Sequence, residues 1–182
     1  KMRIGRKSIF ISRVCTLLAV GLLSGCASSG AEAADVAKQG ADQIVIGDME
    51  FTVEQMDYRD KVQPPEPLGY YDYYPEEEGY HYLVLSGSAV NAGDTDFDPE
   101  SFYVEAQAGR TIREGKLLIV TAPGAEFWDV LPAQQTSGEW GFYLFALLKD
   151  SEEADSISIF YNDDFTKNEE GEEWDRQIRI TL

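Results

Sequence analysis

From Gln43 to Leu182 the chain alternates apolar and polar residues with a period of two, and that period decides what it can fold into. Successive side chains of a strand point to opposite faces, so such alternation marks half-buried strands. Ile44, Val45 and Ile46 stop at Gly47-Asp48, and Phe51 and Val53 then alternate with Glu50, Thr52 and Glu54. Residues 81–91 form the strongest run, with Leu83, Leu85, Gly87 and Ala89 on one face and Tyr82, Val84, Ser86 and Ser88 on the other. Gly87 and Ala89 leave room on the inner face, which Trp140 or Phe142 from an opposing sheet is expected to fill. Residues 102–106 and 111–113 flank Ala108-Gly109 as a hairpin. Further strands are expected over 139–148, 157–161 and 178–182. No clean 3.6-residue period runs through this region, and 123–130 is expected to make at most one helical turn. The pattern predicts an all-β fold, a two-sheet antiparallel β-sandwich of about seven to eight strands.

Ahead of this region lies a segment of different character. Lys1, Arg3, Arg6, Lys7 and Arg13 precede an apolar run, Val14 to Leu23, that is too short to span a bilayer as a helix. A basic start, a short apolar stretch and small residues at its end read as an export signal that is cleaved. The run closes on Leu23-Ser24-Gly25-Cys26, which resembles the lipobox of bacterial lipoproteins. That resemblance implies lipid on the Cys26 sulfur, cleavage before it, and a location on the extracellular face of the bacterial cell membrane. The expected organisation is therefore a lipoprotein signal over 1–26, a flexible tether over 27–42 that is small and polar, and one sandwich domain over 43–182.

Charge and cysteine content narrow the function classes. The five basic residues before Cys26 leave with the signal, which deepens the net charge from −18 to −23. Such a surface repels nucleic acid and anionic headgroups, so the membrane is met through acyl chains, and a monomer without nucleic-acid partners is expected. Cys15 leaves with the signal and Cys26 is taken by lipid. No disulfide, thiol nucleophile or cysteine metal site is then expected, and stability rests on the apolar core.

The order of short motifs is informative beyond its period. Ile44 to Val53 with Gly47-Asp48 inside it, then Tyr82 to Val90 followed by Asn91-Ala92-Gly93-Asp94, then Leu131-Pro132 and residues 138–144, resembles the immunoglobulin-like domain of unknown function carried by bacterial surface lipoproteins. That family is mostly Gram-positive and is related in fold to a mycobacterial immunoprotective extracellular antigen. The resemblance spans about 43–182 and implies an immunoglobulin-like sandwich at the cell surface. It carries no catalytic residues. Two departures are the long aromatic loop over 57–79 and Gly87, where a large apolar residue is usual.

Three constellations offer chemistry. The loop Gly69-Tyr70-Tyr71-Asp72-Tyr73-Tyr74-Pro75-Glu76-Glu77-Glu78-Gly79-Tyr80 concentrates stiff amphipathic rings of the kind recognition loops use. Pro64, Pro65 and Pro67 stiffen its entry. Tyr70, Tyr71, Tyr73, Tyr74 and Tyr80 are thus expected either to bind a surface protein, peptide or glycan, or to fold back over a sheet edge. Asp94, Asp96, Asp98 and Glu100 have the alternating spacing of a Ca²⁺ loop, although Pro99 stands where such a loop turns on glycine. They suggest a calcium-stabilised envelope module as the alternative; otherwise no cofactor is expected. His81 is the only histidine, no Gly-x-Ser-x-Gly elbow exists, and a surface hydrolase is the least favoured reading. The expectation is a non-catalytic, lipid-anchored binding module.

Overall fold

In a computed structural model of the chain, the described residues are 31, 33–67, 73–121, 124, 126–135, 139–168 and 172–182. Their regular structure is almost all strand: β1 Ala33–Gln39, β2 Gln43–Ile46, β3 Met49–Arg59, β4 Tyr80–Asn91, β5 Tyr103–Ala108, β6 Thr111–Thr121, β7 Phe127–Trp128, β8 Trp140–Lys149, β9 Ser156–Tyr161 and β10 Trp174–Thr181. A single 3-10 turn, Pro99–Ser101, precedes β5. The strands follow one hydrogen-bonded path, β1-β10-β9-β5-β6-β8-β4-β3-β2, with β7 paired to β6 beside it. Only β1 and β10 run parallel. The sheet curls into a nearly closed, barrel-like sandwich.

The period-two residues meet inside it. Ile44, Ile46, Phe51, Leu83, Leu85, Ile119, Phe142, Leu144, Ile157, Ile159, Ile178 and Ile180 form one buried cluster to which strands from both ends of the path contribute. Phe142 meets Phe51 edge-on at 5.3 Å between ring centres, an arrangement the ring quadrupoles favour. The two ends of the path are joined by a side chain. The Gln39 amide donates to the Val45 carbonyl at 2.9 Å and accepts from the Val45 N–H at 2.8 Å, so it takes the place of a strand at the seam.

Four expectations change. The sheet has ten strands rather than seven or eight. A flexible tether over 27–42 gives way over 33–39, where the chain is β1 and pairs with Trp174 to Ile180. These residues are small and polar because β1 lends main-chain hydrogen bonds to β10, with Val36, Ala37 and Lys38 turned to solvent. Among the described residues of 123–130 the regular element is the strand β7, where one helical turn was expected. Finally, Phe142 and Trp140 lie beside Gly87 and Ala89 on the neighbouring strand β8 instead of on an opposing sheet. What requires Gly87 is β3: a Cβ there would sit 2.0 Å from the Thr52 carbonyl oxygen. β3 comes this close at its bulge between Val53 and Gln55.

Candidate functional site

The three motifs that carried the family resemblance meet at one end of the sandwich. Asn91, the last residue of β4, is buried, and its amide donates to the carbonyls of Thr95 at 2.9 Å and Leu131 at 3.2 Å. Its side-chain oxygen accepts from the Gly93 N–H, while its carbonyl accepts from Gln135. Ala92 N–H donates to the Asp48 carbonyl, which brings in the Gly47-Asp48 turn. A buried amide must have its partners, so this asparagine fixes two loops, and its neighbour Ala92 adds the third.

The acidic residues of the same end do not form a metal cage. They surround a cavity of about 360 Å³ together with Asp48, Asp164 and Phe165, but their oxygens are engaged elsewhere. Asp96 accepts from the Ala133 N–H at 2.9 Å, and Asp98 caps the 3-10 turn through the Glu100 N–H at 2.8 Å. Lys167 bridges Asp98 at 3.3 Å and Glu100 at 2.6 Å, and these contacts raise the lysine pKa. Asp94 receives the Gln134 amide at 3.4 Å. Among the described residues no three His, Cys, Asp or Glu side chains are placed to hold a metal. Of the residues read as a calcium loop, Asp94, Asp96, Asp98 and Glu100, the carboxylates here serve as caps and ion-pair partners, and Pro99 starts a 3-10 turn.

The tyrosine loop does something else. After β3 the chain lies against the outer surface of the sheet as a strap, described over 60–67 and 73–79. Val62 and Tyr74 exchange main-chain hydrogen bonds of 3.0 and 3.2 Å across it. Val62 of the strap is buried with Tyr82, Val84 and Phe145 in a second, smaller core on the outer face of β4 and β8. Tyr74 packs on Phe145 at 4.7 Å and Tyr73 on Phe127 at 5.2 Å. The Tyr82 hydroxyl donates to the Pro75 carbonyl, and burial, with help from the Glu77 charge, raises its pKa. Tyr73 and Tyr74 therefore fold back onto the sheet. Tyr80 opens β4 and is half-buried opposite Lys149. Tyr70, Tyr71 and Cys26 lie outside the described residues.

Where the strap leaves β3, a cavity of about 520 Å³ opens, lined among others by Arg59, Lys61, Pro64, Pro65, Glu76 and Tyr143. Arg59 is held in place from three sides. Its Nε donates to Asp57 at 2.9 Å, its Nη2 reaches Ser86 Oγ at 3.5 Å, and its guanidinium lies 5.4 Å from the Tyr143 ring centre. Lys61 is exposed at the rim and forms no ion pair among the described residues. Arg59, paired with Asp57, and the exposed Lys61 thus share the wall with Asp60 and Glu76 beside the Tyr143 ring. Such a wall suits a hydroxyl-rich group with an apolar face. Sequence reading noted the prolines but not Arg59, Lys61 or Tyr143. Only the long-range pairing of β3, β4 and β8 brings these together.

His81 has the Asp150 carboxylate 3.5 Å from its Nδ1 and the Tyr58 ring at 4.7 Å, while its Nε2 is buried without a hydrogen-bond partner among the described residues.

No protein-family model matches the chain, and no curated protein matches it. Among solved structures it resembles an uncharacterized β-sandwich protein from Clostridium difficile 630. The two are 13% identical, with 85% of this chain and 98% of that one covered, at a TM-score of 0.56. At that identity the likeness speaks for the fold alone: the chain adopts the β-sandwich of a bacterial protein.

Proposed function

We propose that this protein is a lipid-anchored, non-catalytic binding module on the extracellular face of a bacterial cell membrane, built on an immunoglobulin-like sandwich. The reading of Cys26 as the lipidated residue rests on Leu23-Ser24-Gly25-Cys26. The immunoglobulin-like form is supported by the meeting of Gly47-Asp48, Asn91-Ala92-Gly93-Asp94 and Leu131 around one buried amide. The partner is a surface protein, peptide or glycan.

The observation that carries the binding role is the strap cavity. Its cation is oriented before any ligand arrives, which lowers the ordering cost of binding. The position of β1 adds a geometric reason. Six residues, 27–32, separate Cys26 from Ala33, and fully extended they reach about 20 Å. Ala33 lies at the Asn91 end of the sandwich, because β1 runs parallel to β10 and β10 starts there. A lipid on Cys26 therefore keeps that end near the membrane, and Arg59, at the opposite end of β3, faces outward.

The test is capture from envelope extracts and culture medium by the full chain and by an Arg59→Ala/Lys61→Ala variant, each checked for an unchanged melting transition. A species held by the parent and released by the folded variant supports the reading. If both hold the same species, or neither holds any, the cavity is not a binding site. Labelling with a radioactive fatty acid, lost in Cys26→Ala, tests the anchor separately.

A further inference from the structure

A second surface, the edge of β3 that meets the strap cavity at Arg59 and Asp60, carries an inference of its own. β2 pairs only with Met49 to Thr52 of β3, and the Val53 N–H then donates to the Asp42 carbonyl. Beyond that point β3 continues to Arg59 with β4 along one side and, among the described residues, no strand along the other. Its outer face is a polar ladder in which Asp57 accepts from both the Gln55 amide and Arg59 Nε at 2.9 Å. Its other face carries Met56 and Tyr58, in register with core residues Leu85 and Leu83. Those leucines are 0% and 1% exposed, whereas Met56 and Tyr58 are 52% and 49% exposed. Two core-facing apolar residues stay in solvent because the sheet ends before it covers them.

Natural edges of this kind are blunted with proline, charged side chains, bulges or a covering segment, and here the bulge at Val53/Gln55 stands only at the start of the stretch. Residues 54–59 contain no proline or lysine, and the charges of Asp57 and Arg59 neutralise each other. We propose that this edge is a docking site for an extended basic segment of a partner protein, which adds to β3 as a further strand. Main-chain hydrogen bonds would supply the affinity, and alternate apolar side chains would cover Met56 and Tyr58. The basic character follows from the surroundings. Glu54 and Asp60 bracket the edge, Asp42 and Asp150 flank it, and the whole chain has a net charge of −18. A second copy of this chain would bring the same acids to the same edge and is disfavoured for that reason.

The probe is a ten-residue peptide of alternating lysine and valine, titrated into the full chain in non-ionic detergent. Beside it runs the same peptide with one central valine replaced by proline, which keeps the charge but removes a ladder donor. The expected result is binding of the first peptide at least about tenfold tighter than the second, with new amide-exchange protection confined to 54–59. Met56→Lys/Tyr58→Lys, at two half-exposed positions, is expected to weaken it about tenfold again. Equal binding of both peptides means attraction to an acidic surface only and overturns the proposal. Protection elsewhere, or no binding, overturns it too. Because protection is read on the parent chain, the outcome does not depend on how well the double variant folds.

Discussion

The inside of the sandwich and the layer beneath the strap are both aromatic and both buried, yet they are held in different ways. Inside, Phe51 and Phe142 meet edge-on within a buried cluster to which most strands of the path contribute, and both rings are enclosed. Under the strap, Val84 and Phe145 are covered by one segment, whose own Val62 and Tyr74 are joined to each other by two main-chain hydrogen bonds. The inner layer is redundant in its supports. The outer layer depends on a single piece of chain. Depth of support, rather than residue type, then sets what a lost ring does.

The comparison is broken most severely, or confirmed, at Phe142. Phe142→Ala leaves a void bordered by Phe51 that no loop can collapse into, and a loss of about 3–5 kcal/mol in urea unfolding is expected. Gly87→Ala attacks the same layer through the backbone. Its new Cβ would meet the Thr52 oxygen and force β3 away from β4, at an expected cost of about 1–3 kcal/mol. A neutral result there would mean that the β3 bulge moves freely.

Tyr74→Ser sharpens the other side. The ring is half-buried and loses contact with Phe145, while the Val62 bridge uses only main-chain atoms and survives. A loss of about 1–2 kcal/mol is expected by the same unfolding assay. A loss as large as that of Phe142→Ala would make the two layers equivalent. No loss would release Tyr74 from a structural role and return it to partner recognition.

Much of the inner layer was legible in the sequence, and the outer layer was not, for a physical reason. Leu83, Leu85 and Ala89 line the core because strand side chains alternate, and alternation is a local property. The same rule failed at β3. The bulge at Val53/Gln55 inserts a residue, so Met56 and Tyr58 fall out of phase with Phe51 and Val53, and the strand reads as if it ended there. β1 was missed because Ala33 to Gln39 carries no apolar stripe; its place depends on the β10 edge and the Gln39 amide. The acidic run 94–100 looked like a cation loop because spacing shows carboxylates but not the N–H groups and lysine they serve. The strap residues meet Phe127, Tyr143 and Phe145 across more than fifty positions of chain, and no local pattern records that.

The smallest effect is expected at the rim, where neither layer reaches and charge does the holding. Glu152 takes Arg113 in a two-pronged ion pair at 2.6 and 2.9 Å and also accepts from the Lys149 N–H at 3.0 Å. The Arg113 hydrogen bonds, then the Lys149 N–H, lower its pKa to about 2 from an ordinary 4.5. A carboxylate whose pKa is depressed by folding adds stability at pH values above its unfolded pKa, and that stability drains away as pH falls through the folded one. Water still reaches both side chains, so the pair is worth about 1 kcal/mol rather than the full amount the shift would imply. Glu152→Gln should therefore lie about 1 kcal/mol below the parent at pH 7 in urea unfolding, with the gap closing between about pH 4.5 and pH 2. A gap that persists at pH 2 would show that Glu152 holds the rim by shape, as the rings hold the two layers, and not by charge.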